Sequence, residues 1–185
     1  MGLCKGCLNE LPRQIQKVST SNCELVCPFW ALMPYEGAGG AIVRQIKSRG
    51  DLWLANQLAQ RLSVATLALE PPAAVIAIPS TAKRMRERGF NLADILAHHI
   101  AKRLQVTYLP NVLRRLDEGH QAQRSPKERR HHLGRRFECL VQNIPERIMV
   151  VDDVHTSGGT LDAAAIALLN RCSYVSGVAL ASRQL

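Results

Sequence analysis

The residues best able to do chemistry in this 185-residue chain lie together in Val150-Val151-Asp152-Asp153-Val154-His155-Thr156-Ser157-Gly158-Gly159-Thr160. An apolar stretch ends in two acids, and hydroxyls and glycines follow. Gly158 and Gly159 let the backbone come close to a ligand and turn N–H groups toward it. Thr156, Ser157 and Thr160 add hydroxyl donors. A helix starting there would contribute unpaired N–H groups and about half a positive charge. The combination is a phosphate cradle, in which each hydrogen bond to a charged oxygen is worth about 1.5–3 kcal/mol. Asp152 and Asp153 would repel a bare phosphate, but carboxylates accept well from vicinal hydroxyls. Acids and cradle together therefore fit a ribose 5-phosphate better than phosphate alone. His155 is expected to face solvent.

Such a segment works only if a strand delivers it and a helix receives it. Arg147–Val151 reads as a buried strand, Leu161–Asn170 as a helix and Tyr174–Ala181 as a last strand. Upstream, Ala73–Ile78 is a short apolar run between Pro72 and Pro79, again a buried strand. Residues 38–64 carry helical spacing, broken at Arg49-Gly50-Asp51. Pro79–Phe90 reads as a basic loop, and Asn91 as the cap of a helix striped by Leu92, Ile95, Leu96, Ile100 and Leu104. Val106–Leu109 suggests a further short strand. Strands alternating with helices imply an α/β fold, a parallel sheet flanked by helices on both faces, where ligands sit at the carboxyl ends of strands.

A 46% hydrophobic fraction and 21% charged residues fit a folded domain and argue against disorder. The formal charge of +9 favours phosphorylated partners, whether sugar phosphate, nucleotide or nucleic acid. No apolar run reaches the roughly 18 residues needed to span a bilayer, and the first residues lack an apolar signal core. A cytoplasmic protein without membrane insertion is expected; oligomeric state is not legible. In that compartment six cysteines are better read as thiols or metal ligands than as disulfides. Cys4, Cys7, Cys23 and Cys27 form a C-x2-C-x15-C-x3-C array suited to a tetrahedral structural Zn²⁺. Residues 1–30 are accordingly read as a small cysteine-rich, zinc-ribbon-like head in which no long helix or strand is legible, and 31–185 as the main domain.

The Val150–Thr160 segment resembles the phosphoribosyl pyrophosphate signature of type I phosphoribosyltransferases: apolar strand, two acids, a variable pair, then Thr-[Ser/Thr]-Gly-x-Thr. Other nucleotide motifs fail, since the chain has no G-x-x-x-x-G-K-[ST] and Gly37-Ala38-Gly39-Gly40 does not complete G-x-G-x-x-G. Three further stretches are similar to blocks of the ComF family of competence-related proteins. They are Tyr35-Glu36-Gly37 with Ile46-Lys47-Ser48-Arg49-Gly50-Asp51, then Ile78–Asn91, then Gln121 with Arg129, Arg130 and Phe137. His132 stands where that family usually has Asn, and His155 where it often has an aliphatic residue.

The resemblance implies a type I phosphoribosyltransferase fold that binds phosphoribosyl pyrophosphate with Mg²⁺ and acts in DNA uptake during natural competence. Asp152 and Asp153 would hold the ribose, and Thr156–Thr160 the 5-phosphate. Ser80, Lys83 and Arg84 would hold the pyrophosphate. The basic stretch around Arg124, Lys127, Arg129 and Arg130, with Arg88, would either close over the site as a hood or track a nucleic-acid backbone. No aromatic lies between Arg114 and Arg136, which favours phosphate contact over base stacking. Two other functions fit the same residues: a single-stranded-DNA adaptor without turnover, partnering the competence machinery, and a nucleobase salvage transferase. No general base for an acceptor is apparent, so catalysis and its catalytic residues stay open.

Overall fold

The two longest strands form the centre of the sheet. Arg147–His155 and Tyr174–Ser182 run side by side in parallel, with Val150 opposite Gly177 and Val151 opposite Val178. Nearly every residue of the second is buried, as expected for a strand covered on both faces. The computed structural model describes residues 11–18, 28–116 and 136–185.

In chain order the elements are β1 (Gln16–Lys17), β2 (Phe29–Pro34), α1 (Ala38–Arg49), α2 (Leu52–Ala65), β3 (Ala74–Ala77), α3 (Ala82–Arg88), α4 (Leu92–Leu104), β4 (Thr107–Tyr108), β5 (Leu113–Arg115), β6 (Phe137–Cys139), β7 (Arg147–His155), α5 (Gly159–Leu168) and β8 (Tyr174–Ser182). The main sheet has the order β1-β2-β8-β7-β3-β4. Its pairs are parallel except β1 with β2 at one edge. A separate antiparallel pair joins β5 to β6.

Alternation along the strands splits the core in two. Met149 and Val151 face a cluster with Leu32, Leu58, Leu96 and Ile100, roofed by α1, α2 and α4. Ile148 and Val150 face the other way, toward Phe29, Leu161, Leu168 and Phe137, beneath α5 and the β5–β6 pair. The expected α/β architecture, a mostly parallel sheet flanked by helices on both faces, is present.

The break between α1 and α2 has a local cause. Gly50 takes a left-handed conformation (φ 65°) and its N–H closes on the Ile46 carbonyl, while the Asp51 carboxylate caps α2 by accepting from Leu54 N–H at 3.0 Å.

Two local expectations are corrected. Pro79–Phe90 is not all loop: residues 82–88 form α3, capped by Thr81 accepting from Arg84 N–H. None of its residues is buried, so it carries no apolar stripe to betray it. Asn91 precedes α4 without capping it; its amide donates to the Ile78 carbonyl at 2.9 Å, tying α4 to the end of β3. Within the first 30 residues, β1 and the start of β2 pair into the main sheet.

Candidate functional site

The site lies where β7 outruns β3. Strand β3 is in register with β7 from Ala74–Ile148 to Ala77–Val151, and Ile78 N–H still donates to the Val151 carbonyl at 2.9 Å. Beyond this, β3 turns away at Pro79 while β7 continues through Asp152 and Asp153 to His155. Both acids thus lie past the last β3 pair, while β8 stays paired with β7 as far as His155–Ser182.

The acids sit in unlike surroundings. Asp152 is buried, and its Oδ1 accepts from the Asp153 backbone N–H at 2.7 Å. Burial, reinforced by the adjacent Asp153 carboxylate, pushes its pKa up to about 7; the Asp153 N–H, Lys47 and Arg115 oppose the rise without cancelling it. Asp153 instead pairs with Lys47, whose ammonium donates to Oδ1 at 2.7 Å, both side chains being about 20% exposed. The site thus holds one carboxylate in a direct ion pair and one that is only partly compensated.

Lys47 is a site residue that the spacing of charges did not reveal. It comes from α1, 106 positions away in sequence from Asp153. Helix α1 can reach the site because it passes close against the end of β2. A Cβ on Gly39 would lie 2.0 Å from the Pro34 carbonyl oxygen, and one on Gly40 would lie 2.1 Å from that of Tyr35. The signal that did exist was the Ile46–Asp51 block. Arg115 is a second addition: its Nε donates to the Pro79 carbonyl at 3.1 Å, its guanidinium lies over Phe137, and its charge acts on Asp152.

The turn after β7 has the form expected of a cradle. Gly158 adopts φ 86°, a left-handed conformation, and α5 begins at Gly159. Thr156 and Ser157 are exposed, Gly158 is buried and Thr160 half-buried. Asp152, His155, Thr156, Gly158 and Thr160 line one small concavity. A Cβ on Gly159 would come within 4.0 Å of an Arg136 Nη1, so this guanidinium stands over the start of α5.

His155 contradicts expectation. It is 2% exposed, packs against the Phe29 ring with centroids 4.4 Å apart, and its Nδ1 lies 3.1 Å from Ser182 Oγ. Burial lowers its pKa, against the opposing charge of Asp162.

The remaining sequence candidates are less tightly gathered. Ser80 is half-buried just after Pro79. Lys83 and Arg84 are exposed on the first turn of α3, where Lys83 lies 3.9 Å from Glu87. Arg88 is half-buried at the end of that helix. Arg124, Lys127, Arg129 and Arg130, and the four cysteines Cys4, Cys7, Cys23 and Cys27, lie outside the described residues. Among the described residues no cluster of His, Cys, Asp and Glu could hold a metal ion, and no helix is long and apolar enough to cross a membrane.

Comparison with known proteins gives one curated relative of note. The chain is 28% identical over 186 residues to competence protein F of Haemophilus influenzae, covering 87% of this chain and 81% of that protein. The resemblance to ComF proteins read from the motifs is borne out by this match. No family model matches the chain. Among solved structures it is similar to adenine phosphoribosyl transferase from Trypanosoma brucei, crystallised with AMP, pyrophosphate and ribose-5-phosphate. Identity there is 13%, over 89% of this chain and 74% of that one, at a TM-score of 0.44.

Proposed function

We propose that this relative of competence protein F binds phosphoribosyl pyrophosphate with Mg²⁺ at the carboxyl end of β7, and that it serves DNA uptake. The observation that carries the proposal is the continuity of an acid pair, one member of it buried, with a phosphate cradle on one strand–turn–helix. The cradle takes the 5-phosphate through Thr156–Thr160 and the start of α5. The ribose then lies over Asp152 and Asp153, whose oxygens accept from its 2- and 3-hydroxyls.

The poor compensation of Asp152 supports this reading. A carboxylate pushed up to about 7 by burial and a neighbouring acid is eased by hydroxyl donors or by a nearby cation. Hard oxygen ligands also suit Mg²⁺, which would arrive on the pyrophosphate and neutralise the leaving group. Lys47 pairs with Asp153 and orients it. Ser80, Lys83 and Arg84, beyond the end of β3, are assigned to the pyrophosphate.

In a transfer reaction the bond from ribose C1 to the pyrophosphate oxygen breaks and a bond from C1 to the acceptor forms. The chain's own contribution is then binding, orientation and charge stabilisation. The double substitution Asp152→Asn with Asp153→Asn should abolish measurable phosphoribosyl pyrophosphate binding in calorimetry while the far-UV circular dichroism stays native. Unchanged affinity would refute the site.

A second reading, a single-stranded-DNA adaptor on the same fold, is supported by the +9 charge and the basic residues between 114 and 136. The proposed zinc site at Cys4, Cys7, Cys23 and Cys27 is a separate matter of metal content. Purified protein should carry about one zinc per chain.

A further inference from the structure

We infer that His155 is part of the phosphate cradle, presenting the Nε2–H of a neutral imidazole to an anionic oxygen bound at the start of α5. The inference rests on the proposed phosphate site and adds to it a donor that the motif does not contain.

The first ground is an orphaned atom. His155 is 98% buried by its 2% exposure, and its Nε2 has no hydrogen-bond partner. A buried polar nitrogen without a partner costs about 1–3 kcal/mol, so its place calls for an occupant. The same imidazole lines the concavity formed with Thr156, Gly158 and Thr160.

The second ground is the tautomer. The Gln184 backbone N–H donates to Ser182 Oγ at 3.0 Å. His155 Nδ1 lies 3.1 Å from that same Oγ, and in the proposed arrangement the Ser182 hydroxyl gives its own hydrogen to Nδ1. An imidazole that accepts at Nδ1 carries its hydrogen on Nε2. In that arrangement the orphaned atom is a donor, which suits a phosphate oxygen and does not suit a cation.

The third ground is rigidity. Phe29 packs on the ring, and the His155 carbonyl accepts from Arg183 N–H at 3.0 Å. The imidazole is held from β2 and β8. Burial favours its neutral form, so donation persists at neutral pH. Two carboxylates face the ring: Asp152 lines the same concavity, and Asp162, on the first turn of α5, has a buried Oδ1 also without a partner. Asp162 is the competing acceptor, and the test must separate it from phosphate.

The probe is ribose 5-phosphate, titrated calorimetrically into the full chain and into His155→Leu, His155→Gln and Asp162→Asn. His155→Leu should lose roughly tenfold or more in affinity, the share of one hydrogen bond to a charged oxygen. His155→Gln, which keeps a donor, should recover part of it. Asp162→Asn should bind at least as tightly as the parent. Nitrogen-15 NMR of the unmutated protein should show the Nε2–H tautomer, with that proton shifting on addition of ribose 5-phosphate. This holds even if a variant fails to fold. Folded His155→Leu binding as tightly as the parent, or an Nδ1–H tautomer, would overturn the inference and leave the phosphate site standing. Absence of ribose 5-phosphate binding by the parent protein would overturn both.

Discussion

At the scale of single residues, the acid pair trades stability for binding. Asp152 has a folded-state pKa of about 7 against an ordinary value of 3.8. The folded protein therefore binds more protons than the unfolded chain between those values, and stability falls as pH rises through that window. Asp152→Asn removes this penalty. It should raise the Tm of the ligand-free protein at neutral pH, by about 2–4 °C per kcal/mol relieved, and flatten the loss of stability above pH 4, while weakening ligand binding. Scanning calorimetry from pH 4 to 8 checks this; an unchanged Tm profile would mean that Asp152 is already compensated. Lys47→Met has the opposite sign. It leaves Asp153 without its counter-charge and should destabilise by about 1–3 kcal/mol, with part of the loss recovered when Asp153→Asn is added. Urea denaturation of the two singles and the double measures that coupling.

At the scale of elements, the cradle depends on two close backbone arrangements. Gly158 holds a left-handed φ of 86°, and Gly158→Ala should cost about 1–2 kcal/mol through strain at the start of α5. Gly39→Ala should cost more. Its Cβ would meet the Pro34 carbonyl oxygen at 2.0 Å, so α1 must move and Lys47 with it. Reduced denaturation midpoints with weakened binding of ribose 5-phosphate are expected from both.

What was legible in the sequence follows the same division. The segments Ala74–Ala77, Arg147–His155 and Tyr174–Ser182 are buried on both faces, so their apolar runs announced them. Helix α3 stayed hidden because nothing in it is buried, although Thr81 three residues before Arg84 was a usable capping signal. The acids and hydroxyls of the site are contiguous and could be read directly. Lys47, Arg115, Arg136 and the environment of His155 depend on distant elements meeting, and no local pattern encodes that. The burial of His155 is the clearest instance, since Phe29 and Ser182 provide it from two other strands.

At the scale of the whole molecule, an excess of nine positive charges makes polyanion binding a matter of salt. If the chain also contacts single-stranded DNA, log affinity should fall linearly with log salt, with a slope of about −0.7 per phosphate neutralised. Fluorescence anisotropy with a labelled oligonucleotide between low and moderate salt gives that slope. Salt-independent binding, or none at low salt, would remove the adaptor reading. The central claim is a phosphoribosyl pyrophosphate site at the carboxyl end of β7, and calorimetric titration of that ligand with and without Mg²⁺ tests it most directly. The account predicts Mg²⁺-dependent binding that vanishes when Asp152 and Asp153 are both changed to Asn; a folded protein that takes up no heat in either condition would contradict it.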